Sequence, residues 1–412
     1  LKASPTSFTF IVLMSLLGAL SAFATDMSLS ATAPMAAELA VTPGGIGLAL
    51  SAFMASFALS PLVYGPVSDR FGRRPVALVS CCIYMAGGIG CVFAHGLPAL
   101  LFWRFVQGIG GGARPLALAI IGDHFKGAAA REKMSYVSAL SLLAPILAPT
   151  IGAFLLGFGG WRLIYVFLTV TGALAFGLIW LRLDESLPPE ARGSLSFSVV
   201  IANYAAVFRD PRSLAFTGVA IAMFGVIFGY VSGSPLVMIG AFGLTPAQYG
   251  LTFALNSLGL LVGSLINGRL NARGVRPAVL LTTGLLLVAA NTGALLALTA
   301  VGDTRVGVFL PFLALCMMGC AMANTNAIQL AIEPLSHIAG TASAAVVSTQ
   351  LGFGAVAGFL VADFYDGHTA FSTVTVMMAF ALIGLTSFLL RPTDGVRGAT
   401  ASTLKVNATD TR

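Results

Sequence analysis

Twelve stretches of this chain are apolar over lengths that match a bilayer. They lie near residues 8–31, 44–67, 75–94, 98–122, 133–157, 161–182, 214–238, 247–270, 277–300, 305–328, 338–362 and 369–391. A helix needs about 20 apolar residues to cross the hydrocarbon core. Lipid offers the backbone no hydrogen-bond partner, so each run is predicted to close its own bonds as a helix. The charge content agrees: 9% of the 412 residues are charged, against about 25% in soluble domains. The reading is an all-α integral membrane protein with twelve transmembrane helices and no soluble domain of its own. Ala22-Phe23-Ala24 resembles a signal-peptidase site, but the run around it is longer than a signal core and is expected to be retained.

Lys and Arg orient the spans. With a cytoplasmic N-terminus, the inner segments hold Lys2, Arg70, Arg73, Arg74, Lys126, Arg131, Lys133, Arg182, Arg192, Arg209, Arg212, Arg269, Arg273, Arg276, Arg391, Arg397, Lys405 and Arg412. Only Arg162 and Arg305 fall outside, and Arg104 and Arg114 lie within the fourth span. This is a strong positive-inside bias, with both termini cytoplasmic. The net charge of +7 is therefore a topology device, and nucleic acid is excluded as a partner. Asp184–Arg212 is charged, contains Pro188-Pro189 and separates six spans from six. The predicted division is an N-terminal six-helix bundle at 1–183, a cytoplasmic linker at 184–212, a C-terminal bundle at 213–392 and a cytoplasmic tail at 393–412. Gly65-Pro-Val-Ser-Asp-Arg-Phe-Gly-Arg-Arg-Pro75 after the second span is echoed after the eighth by Gly268-Arg-Leu-Asn-Ala-Arg-Gly-Val-Arg-Pro277. The bundles are thus read as pseudo-symmetric, as in proteins whose halves rock about a site at mid-membrane.

Of the fifteen acids, only Asp26 falls well inside a span. An ionised acid among lipid tails costs several kcal/mol, so it is expected to face a polar cavity and to serve function. By counting from the ends of their runs, Asp26 and Arg104 sit at similar depth, roughly 8–9 Å below the outer boundary. At that depth the two charges can compensate each other. Phe53, Phe57, Tyr230, Asn256, Asn324 and Gln350 lie in spans that would border such a cavity; aromatic and amide groups suit amphiphilic solutes, and helix packing is an equal alternative for each. Pro145, Pro149 and Gly152 mark the fifth span as one that bends and lets a neighbour approach. Cys81, Cys82, Cys91, Cys316 and Cys320 lie inside apolar runs, in neither disulfide nor zinc spacing. His95, His124, His337 and His368 lack metal spacing, and no nucleophile motif is present. Neither metal, cofactor nor enzymatic activity is expected.

Gly65–Pro75 resembles the loop signature of the major facilitator superfamily, and Arg104-Phe-Val-Gln107-Gly108-Ile-Gly110 is similar to a second family signature. Pro149-Thr-Ile-Gly152 is similar to an antiporter-type element in which Ala148 replaces the first glycine. Tyr230–Pro235, Tyr249–Asn256, Asn267–Arg269, Asn324-Thr-Asn326 and Thr25-Asp26-Met27 resemble the bicyclomycin/chloramphenicol-resistance branch of drug:proton antiporters. That resemblance implies the major facilitator fold, with Asp26 as the coupling acid and Arg104 as its partner. It also implies a latch in which Asp69, with Gly65, Arg70, Gly72, Arg73 and Arg74 around it, meets the N-terminal end of the eleventh helix. The branch places two arginines further along the fourth span, where this chain has Leu118 and Gly122. Arg114 lies one turn before Leu118 on the same face and is the candidate replacement.

The expectation is a monomeric transporter in the bacterial cytoplasmic (inner) membrane whose partners are a small-molecule substrate, protons and the lipid bilayer. It would export amphiphilic drug-like solutes in exchange for protons, with Asp26 carrying the proton. Two alternatives stand beside it: a proton-coupled exporter or importer of an acidic metabolite such as a siderophore or short peptide, and a non-transporting membrane sensor or scaffold.

Overall fold

The computed structural model describes residues 8–188, 190, 197–302 and 305–392. Lys2, Arg192, Arg397, Lys405, Arg412 and the tail at 393–412 lie outside the described residues. Among the described residues every regular element is helical. The first span is α1 (Phe8–Asp26), a 3-10 turn (Met27–Ala31) and α2 (Thr32–Glu38). Next come α3 (Pro43–Phe71), α4 (Arg73–Val92), α5 (Leu97–Gly111), α6 (Arg114–His124) and α7 (Gly127–Arg182). A shorter helix, α8 (Phe197–Arg209), leads into α9 (Pro211–Pro235), whose last part widens to a π-turn at Leu236–Ala241. Then follow α10 (Pro246–Ala272), α11 (Pro277–Ala300), α12 (Val306–Ile332), α13 (Ala339–Asp363) and α14 (Phe371–Leu389).

Eleven stretches of the described residues are long and apolar enough to cross a membrane. One of them, Leu143–Arg182, is interrupted by non-helical backbone at Gly159 and at Gly160, where φ is +67°. A positive φ suits glycine, which has no Cβ to clash. The stretch therefore makes two legs, and the crossings number twelve. The first span runs to Glu38, further than the apolar run that ends near residue 31. The fourth breaks between α5 and α6, because Pro115 has no N–H to give the Gly111 carbonyl.

Local chemistry sets the helix starts. Pro43, Pro211 and Pro246 occupy first turns, where no backbone donor is needed. The Thr42 hydroxyl accepts from Gly45 N at 3.1 Å and Asp210 Oδ1 from Ser213 N at 2.8 Å, and Thr245 with Gln248 forms a reciprocal capping box. Packing then falls into two groups, α1–α7 and α9–α14. They meet along two seams, α3 against α13 and α7 against α10. Toward the end that carries Glu38 and Arg162 these seams are tight. A Cβ on Gly44 would stand 2.5 Å from the Ala362 carbonyl oxygen, and one on Gly250 would stand 3.3 Å from that of Pro149.

At the opposite, arginine-rich end, the segment between the groups is tied to the first of them. The Glu185 carboxylate accepts from Arg73 N at 2.8 Å and Arg74 N at 3.3 Å, satisfying donors that begin α4. The Tyr204 hydroxyl of α8 donates to the Leu62 carbonyl at 3.1 Å. That carbonyl is free because the residue four positions on, Pro66, has no N–H.

Helix contact inside the first group is close enough that a side chain cannot be added. A Cβ on Gly87 would lie 2.5 Å from the Gln107 backbone, whereas Gly293 has nothing within 4 Å. Gly87→Val is expected to cost about 1–3 kcal/mol or more through overpacking, and Gly293→Val less than about 0.5 kcal/mol. Thermal unfolding of the two purified variants against wild type checks this.

Candidate functional site

Asp26 is the last residue of α1, where the helix tightens into the 3-10 turn. It is 5% exposed. Thr25 folds its hydroxyl back onto the Ser21 and Ala22 carbonyls at 3.1 and 2.9 Å. The 3-10 turn that follows Asp26 packs on α7 and also meets α9 and α10 of the second bundle, the helices that carry Tyr230 and Tyr249. Tyr230 accepts from Asn256 Nδ2 at 3.0 Å and stacks on Phe253, and the Tyr249 hydroxyl lies 2.9 Å from Ser234 Oγ. The end of α1 that carries this carboxyl group therefore lies where the two bundles meet, and the helices it meets carry a buried hydroxyl and amide cluster.

Arg104 is fully buried in α5, but it does not pair with Asp26 as expected. Its Nη1 donates to the Ala24 carbonyl at 3.0 Å and to Gln107 Oε1 at 2.9 Å. Its guanidinium lies 4.6 Å from the centre of the Phe53 ring and 5.8 Å from that of Tyr165. No ion pair among the described residues joins it to Asp26. The reason is that Arg104 has nearer partners: the Ala24 carbonyl and Gln107 take its Nη1, and the Phe53 and Tyr165 rings hold its guanidinium. Nε and Nη2 of Arg104 and Nε2 of Gln107 are buried without a protein acceptor.

The latch is also arranged differently from the expectation. Asp69 is exposed and pairs with Arg73 of its own bundle at 2.5 Å, not with the start of α13. Arg73 continues to Asp123 at 3.2 Å, while Arg74 Nη2 donates to the Trp180 carbonyl at 2.8 Å. Arg70 is exposed. Gly72 has φ +99° and makes the turn, whereas a Cβ added to Gly65 would meet nothing within 4 Å, so that glycine is not required by close helix packing. Within α7, Gly152 packs on the 3-10 turn: a Cβ there would meet the Met27 carbonyl and lie 2.9 Å from Ser30 Oγ. Pro149, three residues earlier, faces Gly250, and Pro145 lies one turn before it in α7. One helix thus touches both the segment after Asp26 and the second bundle.

The remaining candidates separate into small groups. Phe53 is fully buried beneath Arg104 and stacks with half-buried Phe57 at 5.9 Å. Gln350 Nε2 donates to Asn324 Oδ1 at 2.5 Å and to the Ala220 carbonyl at 2.9 Å. Arg114, the first residue of α6, is exposed. Sequence reasoning did not assign Gln107, Tyr249 or Ser234 to the site. The three-residue spacing of Gln107 from Arg104 signals a shared helix face; nothing local signals the meeting of Tyr249 with Ser234.

The family profile described as Major Facilitator Superfamily matches residues 14–358. The chain belongs to that superfamily. It is a multi-pass secondary transporter that binds small-molecule substrates, and not an enzyme. A bicyclomycin resistance protein homolog of Haemophilus influenzae is 28% identical over 360 residues, covering 87% of this chain and 90% of its own length. An uncharacterized MFS-type transporter of Bacillus subtilis is 29% identical over 392 residues, covering 93% and 96%. Among solved structures, a D-xylose-proton symporter superposes with TM-score 0.74 at 15% identity, covering 93% of this chain and 98% of its own.

Because Arg104 and Asp26 make no direct contact, their substitutions are expected to act independently. Arg104→Ala is predicted to destabilise by about 3–5 kcal/mol through lost packing and an unpaired Gln107. Adding Asp26→Asn is predicted not to rescue it, with a coupling energy below about 0.5 kcal/mol. Unfolding of the single and double variants measures that coupling.

Proposed function

We propose that this transporter exports small amphiphilic solutes in exchange for protons by alternating access, with Asp26 as the proton carrier. The observation that supports this reading most directly is the placement of Asp26, a buried acid at the junction of two bundles. In that position a change in bundle orientation alters which aqueous side the acid meets. The named relative from Haemophilus influenzae, a bicyclomycin resistance homolog, supports drug efflux as the direction of transport. The proposal divides the chain into bundles at 1–183 and 213–392, a linker at 184–212 and a tail at 393–412. It places the chain in a bacterial inner membrane with the arginine-rich end and both termini in the cytoplasm. The tight seams at the Glu38 end and the unlatched Asp69 at the other fit an inward-facing state.

In this mechanism protonation of Asp26 in the outward state weakens substrate retention, and proton loss on the inner side restores the binding site. Arg114, Phe57, Tyr230, Asn256, Asn324 and Gln350 are the proposed substrate contacts; Phe53 acts beneath them by holding Arg104. Pro145, Pro149 and Gly152 let α7 bend as the outer gate. A membrane potential of 100 mV contributes about 2.3 kcal/mol per proton, and one pH unit about 1.4 kcal/mol. Together they sustain a gradient of a few hundred-fold for a neutral solute. The exposed Arg114 favours neutral or acidic solutes over lipophilic cations, and it keeps an acidic metabolite as the second reading.

Proteoliposomes with an imposed pH gradient test this reading, with bicyclomycin as the solute. Wild type is expected to drive uptake against the solute gradient, and Asp26→Asn to lose at least tenfold of that flux while still inserting and binding. Unchanged gradient-driven flux in the variant overturns the proposal.

A further inference from the structure

The helix α8 is too short to cross a bilayer: it has 13 residues, against about 20 for a span. Asp210 alone separates it from the spanning helix α9, so it lies at the membrane boundary at the arginine-rich end. Both bundles hold it there. The Tyr204 hydroxyl donates to the Leu62 carbonyl of α3, and the helix packs on α13 and α9 of the second bundle. Leu62 lies inside the apolar run that ends near residue 67, roughly 8 Å from its end at 1.5 Å per residue. A tyrosine that reaches this carbonyl holds α8 alongside the apolar part of α3, not in the water beyond it.

The side of α3 on which α8 docks faces outward. Ala55, Leu59 and Val63 form its exposed stripe. Toward the Glu38 end the bundles are sealed, so this stripe, with exposed Val356 and Phe359 across the seam on α13, meets lipid. The same division runs through α8 itself. Val207 is fully buried against the protein, whereas Ile201, Ala202, Phe208 and Arg209 are exposed on the other side. Ile201 is 64% exposed and Phe208 42%. Seven residues apart, they lie on one stripe of the helix. The outward face is thus apolar, with a basic residue at its end, and it continues the lipid-facing surface of α3 and α13.

We propose that this outward face of α8 is a lipid-binding surface, with Ile201 and Phe208 among the acyl chains and Arg209 on an anionic headgroup. Amphipathic helices lie in the interface in this way, their apolar residues under the headgroups and their basic residues reaching up to them. A specific contact with a second copy would need roughly 800 Å² from each partner, more than a face with two large exposed side chains offers. Lipid therefore holds an element that touches both bundles. The proposal rests on the spanning fold and not on proton coupling at Asp26.

The test uses the full-length protein with Cys82→Ser, since the other cysteines are buried. Ile201→Cys and Phe208→Cys are labelled separately with bimane, so that failure of either variant to fold leaves the other. His368→Cys, in an exposed loop, is the aqueous reference. The protein is diluted into vesicles of phosphatidylethanolamine and phosphatidylglycerol. Relative to the reference, quenching by phosphatidylcholine with a doxyl group near the headgroup is expected to be about threefold stronger at both α8 positions. Quenching by iodide in the water is expected to be about threefold weaker. At low and equal mole fraction, doxyl-phosphatidylglycerol is expected to quench about fivefold more than doxyl-phosphatidylcholine, the effect of one basic residue at an anionic surface. Arg209→Gln is expected to remove that preference. Iodide quenching equal to the reference overturns the proposal, as does lipid quenching that disappears when the protein is crowded in the vesicle, which marks a second copy on this face. Equal quenching by the two lipids with Arg209 in place overturns the headgroup assignment.

Discussion

Burying a carboxyl group inside a membrane protein is costly, and this fold is arranged around one such group. Asp26 is buried at the end of α1, and the 3-10 turn that follows it packs on α7 of its own bundle and on α9 and α10 of the other. Its surroundings are therefore shared between bodies that can move relative to each other. A similar acid enclosed wholly within one bundle would experience a constant environment. The shared position is what makes the group responsive to bundle orientation.

Close backbone approach explains how the bundles seal at one end. Gly44 against Ala362 and Gly250 against Pro149 each bring helices of the two bundles together where a side chain would separate them, and Gly152 against Met27 does the same within the first bundle. In lipid there is no hydrophobic drive between helices, so such packing provides much of the adhesion. Beyond these contacts, the Glu38 carboxylate accepts from Trp161 Nε1 at 2.6 Å and pairs with Arg162, whose remaining donors reach the Val92 and Ala94 carbonyls. At the other end the ties run through polar side chains and proline-freed carbonyls, as between Tyr204 and Leu62. Bonds of this kind break and re-form more readily than interdigitated backbone.

The fold was legible because hydropathy in a membrane chain reports directly on crossing segments; each of the twelve apolar runs corresponds to a helical leg. The run ending near residue 31 fell short of Glu38 because Thr32–Glu38 is a less apolar amphipathic turn that hydropathy treats as loop. Asp26 was legible for the same reason, as an acid where lipid forbids one. Its relation to Arg104 was not, since depth counting gives height in the membrane but not the direction in which a side chain points. Tertiary packing fixed Arg104 on the Ala24 carbonyl, Gln107 and the Phe53 ring instead. The latch differed because Asp69 has a near partner in Arg73, four residues on and across the Gly72 turn.

The central claim is that substrate and proton compete through Asp26. Proton release on ligand binding tests it most directly, measured with a pH indicator in weakly buffered detergent solution as bicyclomycin is added to the purified protein. The account predicts release of up to one proton per molecule bound in wild type, and none in Asp26→Asn although binding persists. Equal release in both proteins, or binding to wild type without any release across the pH range, would contradict it.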